Sequence, residues 1–350
     1  MKDKGFTTRF RFSVGPWNVN PGSDQYGPDT REEVSFEEKV MQFASLGFSA
    51  VQFHDDDAVP NMNELSDSEI KTEARKTKLI LDKYGMTSEF VAPRLWMDYR
   101  TVDGGYMSSS KSDRDFAIWR SLRSIDIARE LGTDLIVLWL AREGTLCAES
   151  KSPVWATLQL IEALNTMLEY DRGIRIAIEP KPNEPIDRSV CGTAGHVLGV
   201  AAATVDPSRV GVNVESAHAV LAGLDPACEM GFALAMNKLF TVHLNDQNGI
   251  KFDQDKSFGA ENLRSAFNQV RLLVENNYGA NGEYVGLDVK AMRTTGDTDR
   301  YIHLKNSLVV FKALEEKALR FDYAFRDNCV KRRDFESLEL YTLNLIMGLI

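Results

Sequence analysis

One histidine and three aspartates close the run VQFHDDD at 51–57, directly after an apolar stretch. Expelling water along a strand and then gathering charge at its end is costly, so such a run points to a polar site at the mouth of a barrel. His54 and Asp57 are the first suspects. A neutral imidazole paired with a carboxylate is a competent proton shuttle. Asp55 and Asp56 fit the commoner job of helix capping.

Other apolar runs end in the same way. Glu179 and Lys181 close IRIAIEPK, Glu215 and His218 close RVGVNVESAH, His243 lies in LFTVHLND and Asp288 in EYVGLDVK. The loop NDQNGIKFDQDKSFG adds Asp253 and Asp255, whose spacing turns both carboxylates toward one cation where the segment is extended. Carboxylates gathered in one mouth repel each other, and two divalent cations would bring the five to about one net negative charge. Oxygen-rich ligation with one or two imidazoles and no thiolate favours Mg2+, Mn2+ or Co2+. Cys147, Cys191, Cys228 and Cys329 show no CxxC pairing, which argues against structural zinc and a disulfide frame. His196 and His303 lie in segments of helical period and read as ordinary surface or core residues. Lys181 beside Glu179 has a plainer reading too, as half of a structural ion pair.

The elements that must position these side chains follow from the hydrophobic pattern. Apolar runs at 11–17, 50–54, 88–96, 134–140, 174–181, 209–218, 239–246 and 283–290 alternate with segments such as SFEEKVMQFASLG and DRDFAIWRSLRSIDIARELG. The latter carry apolar residues three and four apart, acids near the start and glycine at the stop, which are helix signals. Functional residues at nearly every strand end favour a closed (β/α)8 TIM barrel over an open sheet with one switch point. The barrel is expected over residues 1–300. A C-terminal helical extension over 301–350, ending in the apolar YTLNLIMGLI, should pack on the barrel or on a second subunit.

Composition sets the outer bounds. The 350 residues are 43% hydrophobic and 26% charged, as expected of a soluble globular protein with no membrane span. MKDKGFTTRFRF lacks the apolar stretch of a secretory leader, so a cytoplasmic location is expected. A net charge of -10 speaks against a dedicated nucleic-acid binder and suits a small neutral substrate or cations.

With these residues in place, the chain resembles the D-xylose isomerases, also called glucose isomerases, of the shorter actinobacterial type. The motifs are FHDDD, WLAREG where the family has WGGREG, IEPKPNEP, NVESAH where it has NPEVGH, and HLNDQNGIKFDQDKSFGAENLRSAF. The resemblance implies an aldose–ketose isomerase that opens a cyclic sugar and carries out a metal-assisted 1,2-hydride shift. Glu179, Glu215 and Asp288 would hold a first metal, and Glu215 would bridge to a second held by His218, Asp253 and Asp255. His54, oriented by Asp57, would assist ring opening, and Lys181 would meet the carbonyl oxygen. Trp17 and Trp139 would wall the sugar, with Trp96 in place of a phenylalanine and Asn213 nearby. Tyr26 stands where a neighbouring subunit inserts a phenylalanine, which implies a homo-oligomer, a dimer or tetramer. Glu184-Pro185 would be a cis peptide.

Two departures bear on substrate. His243 replaces an aspartate ligand, exchanging an anion for a neutral donor whose metal affinity is sensitive to acid. Related barrel sugar isomerases and epimerases use histidine at a comparable place. Ala92 and Arg94 replace a threonine and an asparagine; Arg94 would either favour an acidic or phosphorylated sugar or simply pair with an aspartate such as Asp98. The rival readings are a sugar epimerase or C-glycoside-processing enzyme of the same barrel type, using an acid–base pair, and a non-catalytic sugar-binding barrel.

Overall fold

The computed structural model describes residues 8–350; residues 1–7, part of the stretch read above for a leader, lie outside the described residues. Eight strands close a parallel barrel: β1 (Phe12–Val14), β2 (Ala50–His54), β3 (Thr87–Ala92), β4 (Leu135–Trp139), β5 (Arg175–Glu179), β6 (Val210–Glu215), β7 (Leu239–Leu244) and β8 (Val285–Leu287). The order around the barrel is β1-β8-β7-β6-β5-β4-β3-β2, each strand beside its sequence neighbours. All eight apolar runs became strands. Most of the runs overshoot the strand at its C-terminal end, where the chain leaves the ladder and turns its polar residues into the mouth.

Helices alternate with the strands as the periodicity predicts: α1 (Phe36–Leu46), α2 (Asp67–Lys83), α3 (Lys111–Leu131), α4 (Pro153–Tyr170), α5 (Ala194–Ala202), α6 (Pro226–Ala235), α7 (Leu263–Glu275) and α8 (Ile302–Leu319). The Ser35 hydroxyl accepts the Glu38 N–H to start α1, and Gly47, left-handed at φ 92°, ends it. This is why the SFEEK…SLG run stops where it does. Of the residues after 300, α8 fills the eighth helix position, with Phe311 edge-on to Phe10 and Phe12. The helices α9 (Tyr323–Arg332) and α10 (Phe335–Met347) form the extension. The α10 helix buries Thr342 and Leu345 and leaves Leu340 and Met347 exposed. No described helix is long and apolar enough to cross a membrane.

Register places the polar strand ends in one layer. Glu215 lies opposite His243, and His243 opposite Gly286, while Trp139 lies opposite Glu179. One side of the barrel interior is apolar, with Phe90, Ala92, Val137 and Ala177 packed together. Beneath the mouth, Glu89 accepts hydrogen bonds from Gln52 Nε2 at 3.0 Å and Thr241 Oγ1 at 2.6 Å. The buried carboxylate is thereby satisfied without a cation.

Asp55 departs from the capping role expected of it. It is fully buried, and Arg120 of α3 grips both its oxygens at 2.6 and 2.7 Å, with Ser124 at 3.2 Å. Asp55 thus ties the end of β2 to α3. Gly286 is the one β8 residue whose lack of a side chain the barrel requires: a Cβ there would lie 2.6 Å from the Val242 carbonyl oxygen and 3.1 Å from His243 Cδ2. The substitution Gly286→Ala should therefore cost about 1–3 kcal/mol, as overpacking does, seen as a lower denaturant midpoint. An unchanged midpoint would show that the barrel yields at β8.

Candidate metal centre

The mouth is a cavity of about 260 Å³ lined by Trp17, His54, Phe90, Ala92, Arg94, Trp96, Val137, Trp139, Glu179, Glu215, His218, His243, Asp253, Asp255, Asp288 and Lys290. Twelve of the sixteen residues singled out from the sequence reach its wall. The other four stand behind it or away from it. Asp57 lies behind His54, its Oδ2 3.0 Å from the ring Nδ1. Asn213 is fully buried, donating from Nδ2 to Glu179 and lying 3.2 Å from His243 Nδ1. Lys181 is held by Asp253 at 3.0 Å and Glu184 at 3.3 Å, with its ammonium over the Trp139 ring. Tyr26 is exposed and stacks edge-on with Phe252 of its own chain.

The ligating groups converge on Glu215. Three of four sets with ligand atoms within 4.8 Å of one another share it: Glu179, Glu215 and His218; Glu215, His243 and Asp288; and Glu215, Asp253 and Asp255, the fourth being the half-buried His54, Asp56 and Asp57. The His243 imidazole faces the carboxylates, with Nδ1 3.1 Å from Glu179 and 3.8 Å from both Glu215 and Asp288. Histidine at this position therefore joins the cluster. His218 Nδ1 lies 3.3 Å from Glu215 and 3.5 Å from Glu179. Among the described residues, neither that nitrogen nor Asp253 Oδ1, both buried, has a hydrogen-bond partner. Orphaned lone-pair atoms among buried carboxylates fit a divalent cation, since a cation satisfies them where no protein donor does.

Electrostatics sharpen the picture. Burial opposes ionisation of Glu179, yet the adjoining His243 and His218 hold its carboxyl well below the usual range. Burial pushes the Glu215 carboxyl well above its ordinary value. Burial, then repulsion from Asp253, does the same to Asp255. Asp253 goes the other way: burial is overcome by Lys181 and His218, which hold it far down. Lys181 is itself raised to about 12, burial being outweighed by Asp253 and Glu184.

Lys290 and Asn245 are the members of the site that sequence reasoning missed. Lys290 pairs with Asp255, and Asn245 donates to Glu215 at 2.8 Å and Asp255 at 2.9 Å. The signal was present: Lys290 is two residues past Asp288 and Asn245 two past His243, the period that returns an extended chain to the same face. The lysines also change the charge count. Five carboxylates less two ammoniums leave three negative charges, so one divalent cation already brings the mouth to about one net negative.

The remaining motif residues build the walls. Trp17 stacks on His54 at 4.3 Å between ring centroids and donates Nε1–H to Asp288 at 2.9 Å. Trp96 packs against both His54 and Trp139. Arg94 does not pair with Asp98, which Arg100 occupies through two bonds; Asp56 and His54 take it instead. Its charge is therefore already matched within the wall. Glu143 of WLAREG is buried and accepts the N–H groups of Gly105, Tyr106 and Met107, so that motif braces a neighbouring loop. Glu184-Pro185 is cis. The His196 backbone N–H donates to Thr193 Oγ1 at the start of α5, and buried His303 bonds the Asn18 carbonyl, both outside the site.

The pH dependence of the centre follows from His243. Burial opposes protonation of its ring, but Glu179 raises its pKa well above 6.5 in the metal-free protein. Its contribution to stability is then complete below about pH 6.5 and is lost as pH rises through the raised value. A cation binds only the deprotonated ring, so its affinity grows over that same window. A chelator should lower the melting temperature more at about pH 8 than at about pH 6. Equal drops at the two pH values would count against His243 as a ligand.

The family profile described as xylose isomerase-like TIM barrel matches residues 41–279. Among solved structures, a D-tagatose 3-epimerase-like protein is 17% identical with a TM-score of 0.65, covering 88% of this chain and 99% of that one. A 3-keto-D-glucoside 4-epimerase from E. coli is 13% identical with a TM-score of 0.60, covering 87% and 99%. A xylose isomerase domain protein from Alicyclobacillus acidocaldarius is 14% identical with a TM-score of 0.58, covering 87% and 99%. At such identities these likenesses establish the fold alone.

Proposed function

Because the chain belongs to the xylose isomerase-like TIM barrel family, we propose that it is a metal-dependent sugar epimerase, inverting a carbon beside a sugar carbonyl by proton transfer. The observation that carries this reading is a pair of carboxylates, Glu179 at the end of β5 and Asp288 just past β8. These strands stand three apart around the eight-stranded barrel, so the two groups reach the cavity from nearly opposite sides. Asn213 restrains Glu179 and Trp17 restrains Asp288, each through one hydrogen bond.

Epimerisation needs this arrangement. One carboxylate takes the proton from carbon, the bonding electrons move onto the carbonyl oxygen, and a proton is returned to the other face. Glu179, buried at the cavity wall and oriented by Asn213, is placed to be the base. Glu179, Glu215, His243 and Asp288 would hold a divalent cation, magnesium, manganese or cobalt by donor type, which supplies Lewis-acid polarisation of the carbonyl when bound. Trp17, Trp96 and Trp139 offer apolar faces to the carbon side of a sugar, and buried Trp139 Nε1–H, without a partner among the described residues, could donate to a hydroxyl. A cavity of about 260 Å³ suits a monosaccharide-sized substrate.

Aldose–ketose isomerisation by hydride shift is the second reading. It is favoured by the set of Glu215, Asp253 and Asp255 with His218 beside it, which could take a second cation. Against it, Lys181 and Lys290 already neutralise Asp253 and Asp255. Calorimetric titration with manganese should give one tight site per chain; two tight sites would return the weight to isomerisation.

Turnover in deuterated water separates the chemistries. A panel of ketoses and aldoses with manganese-loaded protein should yield product carrying solvent deuterium at the inverted carbon. Product free of deuterium would mean a hydride shift, and no turnover of any sugar despite bound metal would mean a binding protein. Replacing the base, Glu179→Gln, should lower kcat by about 10² to 10⁴.

A further inference from the structure

We propose that Arg94 fixes the tautomer of His54, so that the imidazole offers the cavity an N–H rather than a lone pair. The inference deepens the sugar reading and rests on it only for what that N–H would meet. Two groups compete for His54 Nδ1. Arg94 Nη2 lies 2.7 Å from it and Asp57 Oδ2 lies 3.0 Å from it. A guanidinium can only donate and an ionised carboxylate can only accept. The nitrogen cannot satisfy both: bonding to Arg94 needs its lone pair, and bonding to Asp57 needs its proton.

The surroundings decide between them. Asp57 Oδ2 already accepts the His54 backbone N–H at 3.1 Å, and Asp57 Oδ1 lies 4.0 Å from Arg94, so the carboxylate is served without the ring proton. Among the described residues Arg94 Nη2 has no other acceptor within hydrogen-bond distance, since it is Nη1 that bonds Asp56. A proton on Nδ1 would set two donors head to head at 2.7 Å, and an imidazolium would add repulsion between like charges.

Arg94 is also held in place. Its Nη1 bonds Asp56 at 3.1 Å and its backbone N–H bonds Asp55 at 3.2 Å, the carboxylate that Arg120 clamps. Trp17 and Trp96 fix the plane of the imidazole from two sides. With Nδ1 engaged, the ring proton sits on Nε2. Among the described residues no group bonds Nε2, and His54 lines the cavity.

The consequence is a division of labour. His54 meets an oxygen through that oxygen's lone pair, the ring or carbonyl oxygen of a sugar, and acts first as donor rather than as acceptor of a hydroxyl proton. Asp57 becomes a brace for the backbone at the start of the FHDDD turn. Arg94 is a positioning residue, acting through His54.

Nitrogen-15 NMR of histidine-labelled protein tests this directly, with the His54 signals identified by their loss in His54→Gln. In the native protein Nδ1 should resonate as the unprotonated nitrogen and Nε2 as the protonated one. In Arg94→Leu the proton should move to Nδ1, where Asp57 is left as sole partner; in Asp57→Asn it should stay on Nε2. A protonated Nδ1 in the native protein, or a tautomer that follows Asp57→Asn and ignores Arg94→Leu, would overturn the proposal. Should Arg94→Leu fail to fold, the native and Asp57→Asn spectra still decide. The spectra need no substrate, so they stand or fall separately from the sugar reading. On a sugar that is turned over, Arg94→Leu should lower kcat by on the order of tenfold or more with less than about a threefold change in KM. Lost turnover with an unmoved tautomer would also overturn it.

Discussion

Everything at the mouth of this barrel answers to one constraint, the cost of keeping five carboxylates together out of water. Left alone they would take up protons, as Glu215 and Asp255 are pushed to do. The protein offsets that tendency with two fixed ammonium groups and two adjoining imidazoles. Lys181 sits on Asp253, Lys290 on Asp255, and two imidazoles adjoin Glu179. What remains uncompensated is concentrated on Glu215, which belongs to three of the four ligand sets. A divalent cation would complete the balance, and among the described residues His218 Nδ1 and Asp253 Oδ1 are buried without a hydrogen-bond partner.

The barrel makes that concentration possible. Parallel register aligns Glu215 with His243 and His243 with Gly286, so ligands from separate strands reach one level without loop rearrangement. Gly286 leaves the space that the His243 ring and the Gln52 amide occupy. The clamp between Asp55 and Arg120 then anchors the opposite side of the mouth, from which His54 and Arg94 project. The two sides are chemically distinct. One is an acidic pocket with the donor set of a cation site, the other a tryptophan-lined wall carrying a hydrogen-bonding imidazole.

Function follows from how these sides face each other. A sugar between them would lay its carbon face on Trp17, Trp96 and Trp139 and its oxygens toward the acidic group. Lys181 on Asp253 and Lys290 on Asp255 each offset one of the five negative charges. Together they turn a mouth whose acids alone call for two cations into one balanced by a single cation. This is the physical ground for weighing proton transfer between Glu179 and Asp288 above a hydride shift.

The sequence by itself determined the barrel, because eight short apolar runs alternating with capped amphipathic segments admit few other packings, and polar residues at the run ends located the mouth. It also determined which acids and histidines would meet there, since residues at strand ends converge whatever the details of packing. Only the tertiary structure decided who pairs with whom. Nothing local in FHDDD says that Asp55 is gripped by Arg120, sixty-five residues away, or that Arg94 reaches His54 in preference to Asp98. Lys290 was legible by its spacing from Asp288, yet its pairing with Asp255 depends on a loop from another strand. Ion pairs are chosen by distance in three dimensions and by which charges lose water on folding, and neither quantity is local to a stretch of chain.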